Sequence, residues 1–413
     1  MGTTNTRYIR ASRLITGRGD EVIEDAAVRV EEGRIVAAGP AAAVPAPRDE
    51  AVPVVEYDGG TVLPGLIDAH VHLTFRRGET SVEHVQRVSD EQALLRGVQA
   101  ARQILAAGVT TVRDCAARGR LAQALRDGVR DGLIAGPRIL ASGPPVTTTA
   151  GHLWALGYEA DTADEARRAV RRLVKEGADF IKVCATGGGM TPGSVVGRAQ
   201  YTLEELQAIA DDAHRLGRLV AAHVHGTEGL ARAVQAGIDT LEHCSWLDET
   251  GKRGAFDEGV AREMAARGTF ANIASSAPRE LVERGTVQRE PEHARPPTAG
   301  VRPSLARWEH ARRAKALGVP VLFSTDAIYG WWDDGHDLSY LAQALVEAGE
   351  FANLDVLQMI TAVPAQAIGW GDRLGTVEEG KLADLLVVEG NPAEDIRALH
   401  QVLAVFKDGV LVT

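Results

Sequence analysis

The sequence predicts an α/β fold, a (β/α)8 TIM barrel that carries a small β-sandwich domain formed by both chain termini. Between residues 61 and 373, short apolar segments alternate with helix-length segments eight times. Several helical segments end at a glycine directly before the next strand, which is typical of helix C-caps, as at Gly108, Gly177, Gly237 and Gly318. Both chain ends show strand-and-turn patterns instead. A doubly wound open sheet is the alternative, but no G-x-G-x-x-G motif follows a strand.

We expect residues 1–60 and 374–413 to form the composite β domain and residues 61–373 to form the barrel. In the first segment, Glu31-Glu32-Gly33 separates two alternating runs and predicts a hairpin. The helix that starts after Thr202 opens with a capping box, because Glu205 follows three residues later. The first predicted barrel strand ends at His72. The other seven lie at 108–114, 137–142, 179–184, 219–223, 239–243, 269–273 and 319–326.

Composition excludes several classes of protein. The chain has 413 residues, 45% of them hydrophobic and 24% charged, with a formal net charge of −11. This acidic balance argues against nucleic-acid binding, which usually requires a basic surface. We also expect no membrane span, because no run of 18 apolar residues occurs, and no secretory signal. The chain has three cysteines: Cys115, Cys184 and Cys244. Because they form no C-x-x-C pair, we expect no disulfide and a cytoplasmic location.

The most informative motif is His70-Val71-His72 at the end of the first barrel strand. Side chains alternate along a strand, so residues i and i+2 share a face. His70 and His72 can therefore bind one metal ion, since imidazole is a common ligand for zinc and similar ions.

Further strands of the predicted barrel also end in polar residues. They contribute Lys182 on the fourth strand, His223 on the fifth, His243 on the sixth and Asp326 on the eighth. The carboxyl ends of barrel strands meet at the functional face of this fold, so this set could hold two divalent metals. Lysine can be a ligand only after its neutral amine reacts with CO₂ to give a carbamate, and that carboxylate could bridge both metals.

These residues belong to motifs by which the chain resembles the amidohydrolase superfamily of metal-dependent hydrolases. The motifs run nearly end to end: 65–72, 108–114, 180–183, 220–223, 238–243, 324–326 and 380–388. Within the superfamily the chain is similar to the imidazolonepropionase-like and Xaa-Pro dipeptidase (prolidase-like) branch. Lys182 followed by Thr186-Gly-Gly-Gly and by Gln200-Tyr-Thr-Leu-Glu-Glu-Leu supports that branch.

The resemblance implies a role for each matching residue. His70, His72 and Asp326 would bind the more buried metal, His223 and His243 the more exposed one, and carboxylated Lys182 would bridge them. Zinc is the metal expected first. Asp326 would accept a proton from the bridging water and pass it to the leaving nitrogen. His152 matches a histidine that polarises the scissile carbonyl in this branch, although it could also be a loop residue that caps the backbone.

Substrate contacts are predicted from the loops that follow the strands. His225 lies two residues after His223, where peptidase members carry a tyrosine that meets the substrate carboxylate; it could bind substrate or buttress His223. Tyr329 and Trp331, with Trp332, follow Asp326 and could wall a pocket or plug a neighbouring surface. Residues 275–303 could form a lid or a plain insertion.

The remaining candidates are interpreted more plainly. Cys184 and Cys244 are expected to pack outward against helices, and Arg113 and Asp114 to support the site. The loop residue His336 could be a substrate contact. We expect surface positions for five further histidines: His84, His214, His293, His310 and His400.

We therefore expect a metal-dependent hydrolase that cleaves an amide-type carbon–nitrogen bond by attack of a metal-bound hydroxide. N-acyl amino acids, dipeptides, cyclic amides and carbamates are all admissible small-molecule substrates, and a homo-oligomer is the family expectation. Ester or lactone hydrolysis at the same site is an alternative. The chain could instead be a Schiff-base lyase that uses Lys182, or a scaffold without catalytic activity, although all six ligand positions are filled.

Overall fold

The computed structural model describes residues 6–47, 52–75, 82–275, 305–328 and 338–412. Four strands come first: β1 (Arg7–Ile15), β2 (Val22–Glu31), β3 (Arg34–Pro40) and β4 (Val54–Pro64). The first half of the barrel follows: β5 (Leu66–His72), α1 (Val82–Arg87), α2 (Asp90–Ala106), β6 (Val109–Asp114), α3 (Leu121–Arg130), β7 (Arg138–Ala141), β8 (Val146–Thr147), β9 (Tyr158–Glu159), α4 (Ala163–Lys175) and β10 (Ile181–Cys184).

The second half of the barrel and the chain end continue in the same alternation. Barrel elements are α5 (Leu203–Arg215), β11 (Val220–Gly226), α6 (Thr227–Gln235), β12 (Thr240–Leu247), α7 (Glu258–Arg267), β13 (Phe270–Ala274), α8 (Leu305–Ala316), β14 (Val321–Ser324), β15 (Ala327–Ile328), α9 (Leu338–Glu347), α10 (Asn353–Met359) and α11 (Ala362–Ala367). Three strands follow: β16 (Leu385–Glu389), β17 (Val402–Lys407) and β18 (Val410–Leu411), with a 3-10 helix, Ile396–His400, before β17.

The eight-stranded parallel barrel that the sequence predicts is confirmed. Strands β10 to β14 pair in sequence order, and β5, β6 and β7 form a second run. Two backbone hydrogen bonds join these runs: Asp179 N–H donates to Ala141 O (2.9 Å), and Asp326 N–H donates to His70 O (3.0 Å). The second bond brings the end of the eighth barrel strand beside the end of the first.

The chain termini form one seven-stranded sheet in the order β18-β17-β16-β4-β1-β2-β3. Its apolar cluster includes Ile9, Leu14, Val387 and Phe406, which are almost fully buried. The edge of the sheet that contains β3 contacts the segment before β16, because Ala383 N–H donates to Gly33 O at 2.8 Å. The sheet therefore folds over its own core, and both chain ends are needed to complete it.

Local sequence signals explain several element boundaries. Thr202 and Glu205 form the predicted capping box, in which Thr202 N–H donates to the Glu205 carboxylate at 2.8 Å. The glycines that end helices before strands have positive φ, for example +90° at Gly108. Gly65 joins the terminal sheet to the barrel, and a Cβ there would lie 2.3 Å from Thr110 Oγ1. Only glycine fits this approach between the two strands.

Two predictions about buried residues are wrong. Cys184 does not pack outward: Val183 faces the helices, but Cys184 shares the opposite face with Lys182 and packs near Phe75 and Leu153. Residues two apart on a strand share a face, and Cys184 is two residues from Lys182. Cys244 does pack in the outer core, as predicted.

His310 is the second correction. It is 5% exposed and lies beside Phe256, with ring centroids 5.5 Å apart, so it is a buried residue of α8 and not a surface one. The sequence of α8 shows only a weak separation of apolar and polar faces. For this reason the sequence suggested that His310 is exposed.

The described residues contain no helix that is long and apolar enough to cross a membrane. Several predictions concern side chains outside the described part of the chain: His84, Tyr329, Trp331, Trp332, His336, His293 and all but the first residue of the 275–303 loop.

Candidate metal centre

The predicted ligand residues come together at the carboxyl ends of five barrel strands. His70, His72, Lys182, His223 and His243 are each at most 6% exposed. The ring centroids lie 5.2 Å apart for His70 and His72, 5.1 Å for His70 and His243, and 4.6 Å for His223 and His243. The side chains therefore form one continuous polar cluster in an otherwise apolar barrel.

Asp326 closes this cluster from the eighth strand. Its Oδ1 lies 3.5 Å from His70 Nε2 and 3.3 Å from His72 Nε2. The three side chains offer ligand atoms close enough together to hold one ion. Asp326 has a φ of +52°, which turns its side chain towards the two histidines.

A polar network behind His70 fixes its ring. His70 Nδ1 lies 2.7 Å from Glu242 Oε2, and the other oxygen of Glu242 accepts from Arg113 Nη2 at 2.5 Å. Asn272 Nδ2 also donates to Glu242, at 2.7 Å. A carboxylate that accepts the Nδ1 proton leaves the Nε2 lone pair free to bind a metal. Burial alone would raise the pKa of Glu242, but the charge of Arg113 and the contact with His70 hold it at about 2.

Glu242 is a functional residue that sequence reasoning missed. Strand alternation would send Glu242 and His243 to opposite faces. However, His243 has a φ of +71° and Cys244 one of +45°, and this break turns both Glu242 and His243 into the barrel. The apolar–polar pattern of a strand does not indicate a left-handed residue within it. The sequence spacing therefore could not predict that Glu242 and His243 both face the barrel interior.

His72 is supported by the loop after the second barrel strand. Its ring stacks on Phe75, with centroids 5.0 Å apart, and Nδ1 lies 3.5 Å from Ala116 O. Asp114 accepts from Leu73 N–H at 2.9 Å and from Ala116 N–H at 3.3 Å. Burial raises the pKa of Asp114 to about 6. Arg113 therefore contacts Glu242, and Asp114 contacts Leu73 and Ala116 beside His72, while their supporting role stays a prediction.

Lys182 is the most unusual member of the cluster. Its side chain is 1% exposed, and its Nζ makes no hydrogen bond within the described structure. A buried nitrogen without a hydrogen-bond partner is costly, so this position favours a group that binds to or modifies Nζ. This unpartnered nitrogen among imidazoles fits the predicted metal centre, because a carbamate formed on it would add a second anionic ligand to that of Asp326.

Burial favours the neutral form of three imidazoles of the cluster. Burial is the largest cause in each case: the pKa of His70 is lowered, and those of His223 and His243 are lowered well below the usual value. Burial would raise the pKa of Asp326, but His70 and His72 hold it at about 2. Four imidazoles and one carboxylate are a donor set suited to divalent ions such as zinc.

His152 enters the site from the loop after the third barrel strand. Its ring centroid lies 4.4 Å from that of His223, and its Nδ1 lies 3.1 Å from Thr191 Oγ1. Thr191 Oγ1 already accepts from Leu153 N–H at 2.9 Å, so its own proton can go to His152 Nδ1. This arrangement favours the tautomer with a proton on Nε2. Burial lowers the pKa of His152 to about 3, so the ring is neutral.

The loop that follows the fourth barrel strand is shaped around His152. A Cβ on Gly188 would lie 2.4 Å from the His152 ring, so this position requires glycine. Gln200 Oε1 accepts from His152 N–H at 2.7 Å, and its Nε2 donates to Cys184 O at 3.0 Å. The run 186–200, which supported the branch assignment, therefore positions His152.

His225 lies beside the ligand histidines. Its ring stacks on His243, with centroids 4.5 Å apart and planes 15° from parallel, and its Nδ1 lies 2.8 Å from Ser245 Oγ. Burial lowers the pKa of His225 to about 3, and the charge of Arg307 adds to this effect. The position buttresses His243 and leaves Nε2 free to meet a bound molecule.

Comparison with known proteins identifies the family. Residues 61–412 match the amidohydrolase family. The chain belongs to this family. It is 30% identical over 434 residues to the ochratoxinase of Aspergillus niger, covering 96% of this chain and 84% of that protein. It is 27% identical to an imidazolonepropionase of Rhizorhabdus wittichii, covering 94% of both chains.

A solved structure extends the similarity to the fold. The crystal structure of a Xaa-Pro dipeptidase with methionine bound in its active site superposes with a TM-score of 0.82 at 32% identity, covering 98% of this chain and 99% of that one. The predicted superfamily, branch and barrel are confirmed by these similarities. This amidohydrolase is a hydrolase that acts on carbon–nitrogen bonds.

Proposed function

We propose that this amidohydrolase cleaves an amide-type carbon–nitrogen bond of a small molecule with the help of two divalent metal ions. The observation that carries the proposal is the buried, unpartnered Nζ of Lys182 among imidazoles and an ionised carboxylate. N-acyl amino acids, dipeptides, cyclic amides and carbamates are the proposed substrate classes. The similarity to an ochratoxinase and to a Xaa-Pro dipeptidase supports this range.

Each ion would be held by a separate part of the cluster. His70, His72 and Asp326 would hold one ion, with the two rings presenting Nε2 because their Nδ1 atoms face Glu242 and Ala116 O. His223 and His243 would hold the second. His223 Nε2 lies 3.0 Å from Gly187 O, so this ring would present Nδ1. Lys182, as a carbamate, would bridge the pair. Two such ions supply Lewis-acid activation of the carbonyl and of water, and zinc is the proposed metal.

The protein's own groups would move the protons. Asp326 is ionised, so it can accept a proton from the attacking water and deliver it to the leaving nitrogen. His152 carries its proton on Nε2 in the favoured tautomer and can donate a hydrogen bond to the developing oxyanion. In the hydrolysis, the carbonyl carbon gains the water oxygen, the carbon–nitrogen bond breaks, and the nitrogen leaves as an amine.

Two competing reactions would use the same residues. Ester or lactone hydrolysis would need the same ligands and the same oxyanion donor. A Schiff-base lyase would use the neutral Lys182 amine as a nucleophile, and the unpartnered Nζ favours it, but it gives no role to the four ligand histidines. A homo-oligomeric state and a cytoplasmic location stay predictions.

The test combines metal analysis with a substrate screen. We expect about two divalent ions per chain and turnover of at least one N-acyl amino acid, dipeptide, cyclic amide or carbamate, faster than of the matched ester. Lys182→Met should lose metal and turnover together. Lys407→Met is the matched control, since Lys407 is a half-buried lysine of the terminal sheet that donates to Gly136 O. Borohydride trapping of a carbonyl compound on Lys182 in a metal-free, active enzyme would contradict the proposal.

A further inference from the structure

We propose that Arg307 binds a free carboxylate on the leaving-group side of the substrate, which restricts the enzyme to N-acyl α-amino acids and dipeptides. The inference rests on the proposed function, because it assigns the part of the substrate that lies beyond the scissile bond. Arg307 lies outside the motifs on which the family resemblance is based.

Arg307 lies at the mouth of the barrel. It belongs to the first turn of α8, and its Nη1 donates to Ala274 O at 3.2 Å. Ala274 is the last residue of the seventh barrel strand and pairs with Ser324, two residues before Asp326. The guanidinium therefore lies at the carboxyl ends of the seventh and eighth strands, where the proton donor of the proposed reaction is also located.

The guanidinium is half-buried and lacks an anionic partner among the described residues. Two further arginines of the same helix differ in this respect. Arg312 pairs with Glu350 at 2.6 Å, and Arg313 pairs with Glu258 at 3.3 Å. A half-buried cation is costly without an anion nearby. Arg307 thus offers an open site for a negative group that arrives with the substrate.

The electrostatics of the site connect Arg307 to the ligand cluster. Burial lowers the pKa of Arg307, and the charge of Asp326 partly offsets this. Arg307 in turn is the largest charged influence on the pKa of His225. The guanidinium is therefore near both His225 and Asp326.

The chemistry of an N-acyl amino acid matches this placement. Asp326 would protonate the leaving nitrogen, and the α-carboxylate is attached to the carbon bonded to that nitrogen. The carboxylate therefore comes to the same side of the mouth as Asp326. A guanidinium matches a carboxylate with two parallel hydrogen bonds, which an amide or an ester group cannot accept with the same charge complementarity.

His225 is consistent with this assignment. Peptidases of the branch are expected to carry a tyrosine at this position for the carboxylate, and here the ring stacks on His243 with its Nδ1 at Ser245. Because Nδ1 of the His225 ring already contacts Ser245 Oγ, one ring nitrogen is left for a hydrogen bond to a ligand. We infer that Arg307 provides the charge and that His225 contributes at most one hydrogen bond from Nε2.

The test uses matched pairs of substrates: the N-acetyl derivatives of L-phenylalanine, L-leucine and L-proline, and their carboxamides. For Arg307→Met, the ratio of kcat/KM for acid over amide should fall about 10- to 100-fold, mainly through KM for the acid. Arg307→Lys should recover part of the ratio, because the charge returns without the planar fork. Arg312→Met removes a cation from the same helix and should leave the ratio unchanged.

A binding experiment distinguishes failure of this inference from failure of the proposed function. In metal-loaded Asp326→Asn protein, calorimetry should detect binding of each N-acetyl amino acid and weaker binding of its carboxamide, and Arg307→Met should abolish the preference. If the wild-type enzyme hydrolyses neither compound but the preference persists, the carboxylate site stands and the proposed function fails. If the acid-over-amide ratio or the binding preference is absent, or is unchanged in Arg307→Met, the inference is overturned while amide hydrolysis can still hold.

Discussion

The terminal sheet and the mouth of the barrel are both buried, but they are built from opposite kinds of residue. The sheet core contains Ile9, Leu14 and Phe406, whose burial is favourable in itself. The mouth buries imidazoles, an amine without a partner and a carboxylate, which are costly to remove from water. The sheet therefore contributes stability, whereas the mouth contributes chemistry at the expense of stability.

The backbone shows the same contrast. In the terminal sheet, positive φ values fall on residues with no proposed role, such as Glu32 and Gly33 at a turn and Asp25 within β2. At the mouth they fall on His243 and Asp326, which are proposed ligands. Left-handed residues with bulky side chains persist only where surrounding contacts hold them. We conclude that substitutions at the mouth should change activity more than stability, and that substitutions in the sheet should do the reverse.

The largest effect is expected for Asp326→Asn. The amide keeps the size of the side chain but cannot accept the proton, so kcat/KM should fall about 10²- to 10⁴-fold. Steady-state kinetics on the metal-loaded variant, with metal content measured on the same sample, checks this. Retained turnover would remove Asp326 from its assigned role.

The sheet should give the reverse result. Phe406 is fully buried in the terminal sheet, so Phe406→Ala should lower the free energy of unfolding by about 3–5 kcal/mol. At 25 °C, kcat/KM of the folded fraction should change by less than about twofold. Urea unfolding and kinetics measure the two quantities. A large loss of activity at constant stability would contradict this division of roles between sheet and mouth.

A smaller effect is expected for Glu242→Gln. Glu242 contacts the Nδ1 of His70 and not the proposed metal, so the variant should weaken metal binding about 10- to 100-fold. Competition with a chelating dye measures the affinity. Asn272→Asp, which keeps a side chain of the same size beside Glu242 but adds a like charge, should raise the pKa of Glu242 and weaken binding in the same direction. Unchanged affinity in both variants would show that the network does not hold His70.

The smallest effect concerns pH and the metal-free protein. The pKa of His152 is about 3 in the folded state, below the usual 6.5. The unfolded chain therefore takes up a proton below pH 6.5 that the folded chain refuses, and stability falls as pH drops from 6.5 towards 3. At pH 5.5 the loss from His152 is about 1 kcal/mol.

Hydrogen exchange at pH 7.5 and 5.5 localises this loss. Protection should fall at the mouth and not in the seven strands of the terminal sheet, which contain no histidine. His152→Gln should reduce the slope of stability against pH. Equal loss of protection in both regions would mean that the histidines of the mouth do not control the acid response.

The sequence was sufficient for the fold because its signals are local. The capping box at Thr202, the hairpin at Gly33 and the glycines before strands each specify one boundary, and eight repeats of strand and helix specify the barrel. Six predicted ligands also come together as expected, because parallel strands bring their carboxyl ends to one face.

The parts that the sequence could not predict depend on breaks in regular geometry or on long-range contacts. Glu242 joins the site only because His243 adopts a left-handed conformation. Arg307 is more than 80 residues from His225 in the sequence, so its nearness to His225 has no signature in spacing. Cys184 differs from these two, because its position two residues after Lys182 is enough to place it on the inner face.

The central claim is that six side chains hold two metal ions bridged by a modified lysine. A crystal structure of the metal-loaded protein with anomalous diffraction tests it most directly. We expect two anomalous peaks, one beside His70, His72 and Asp326 and one beside His223 and His243, with density for a carboxylate on Lys182 Nζ between them. A mouth without peaks after metal loading, or an unmodified Lys182 directed away from the histidines, would contradict the claim.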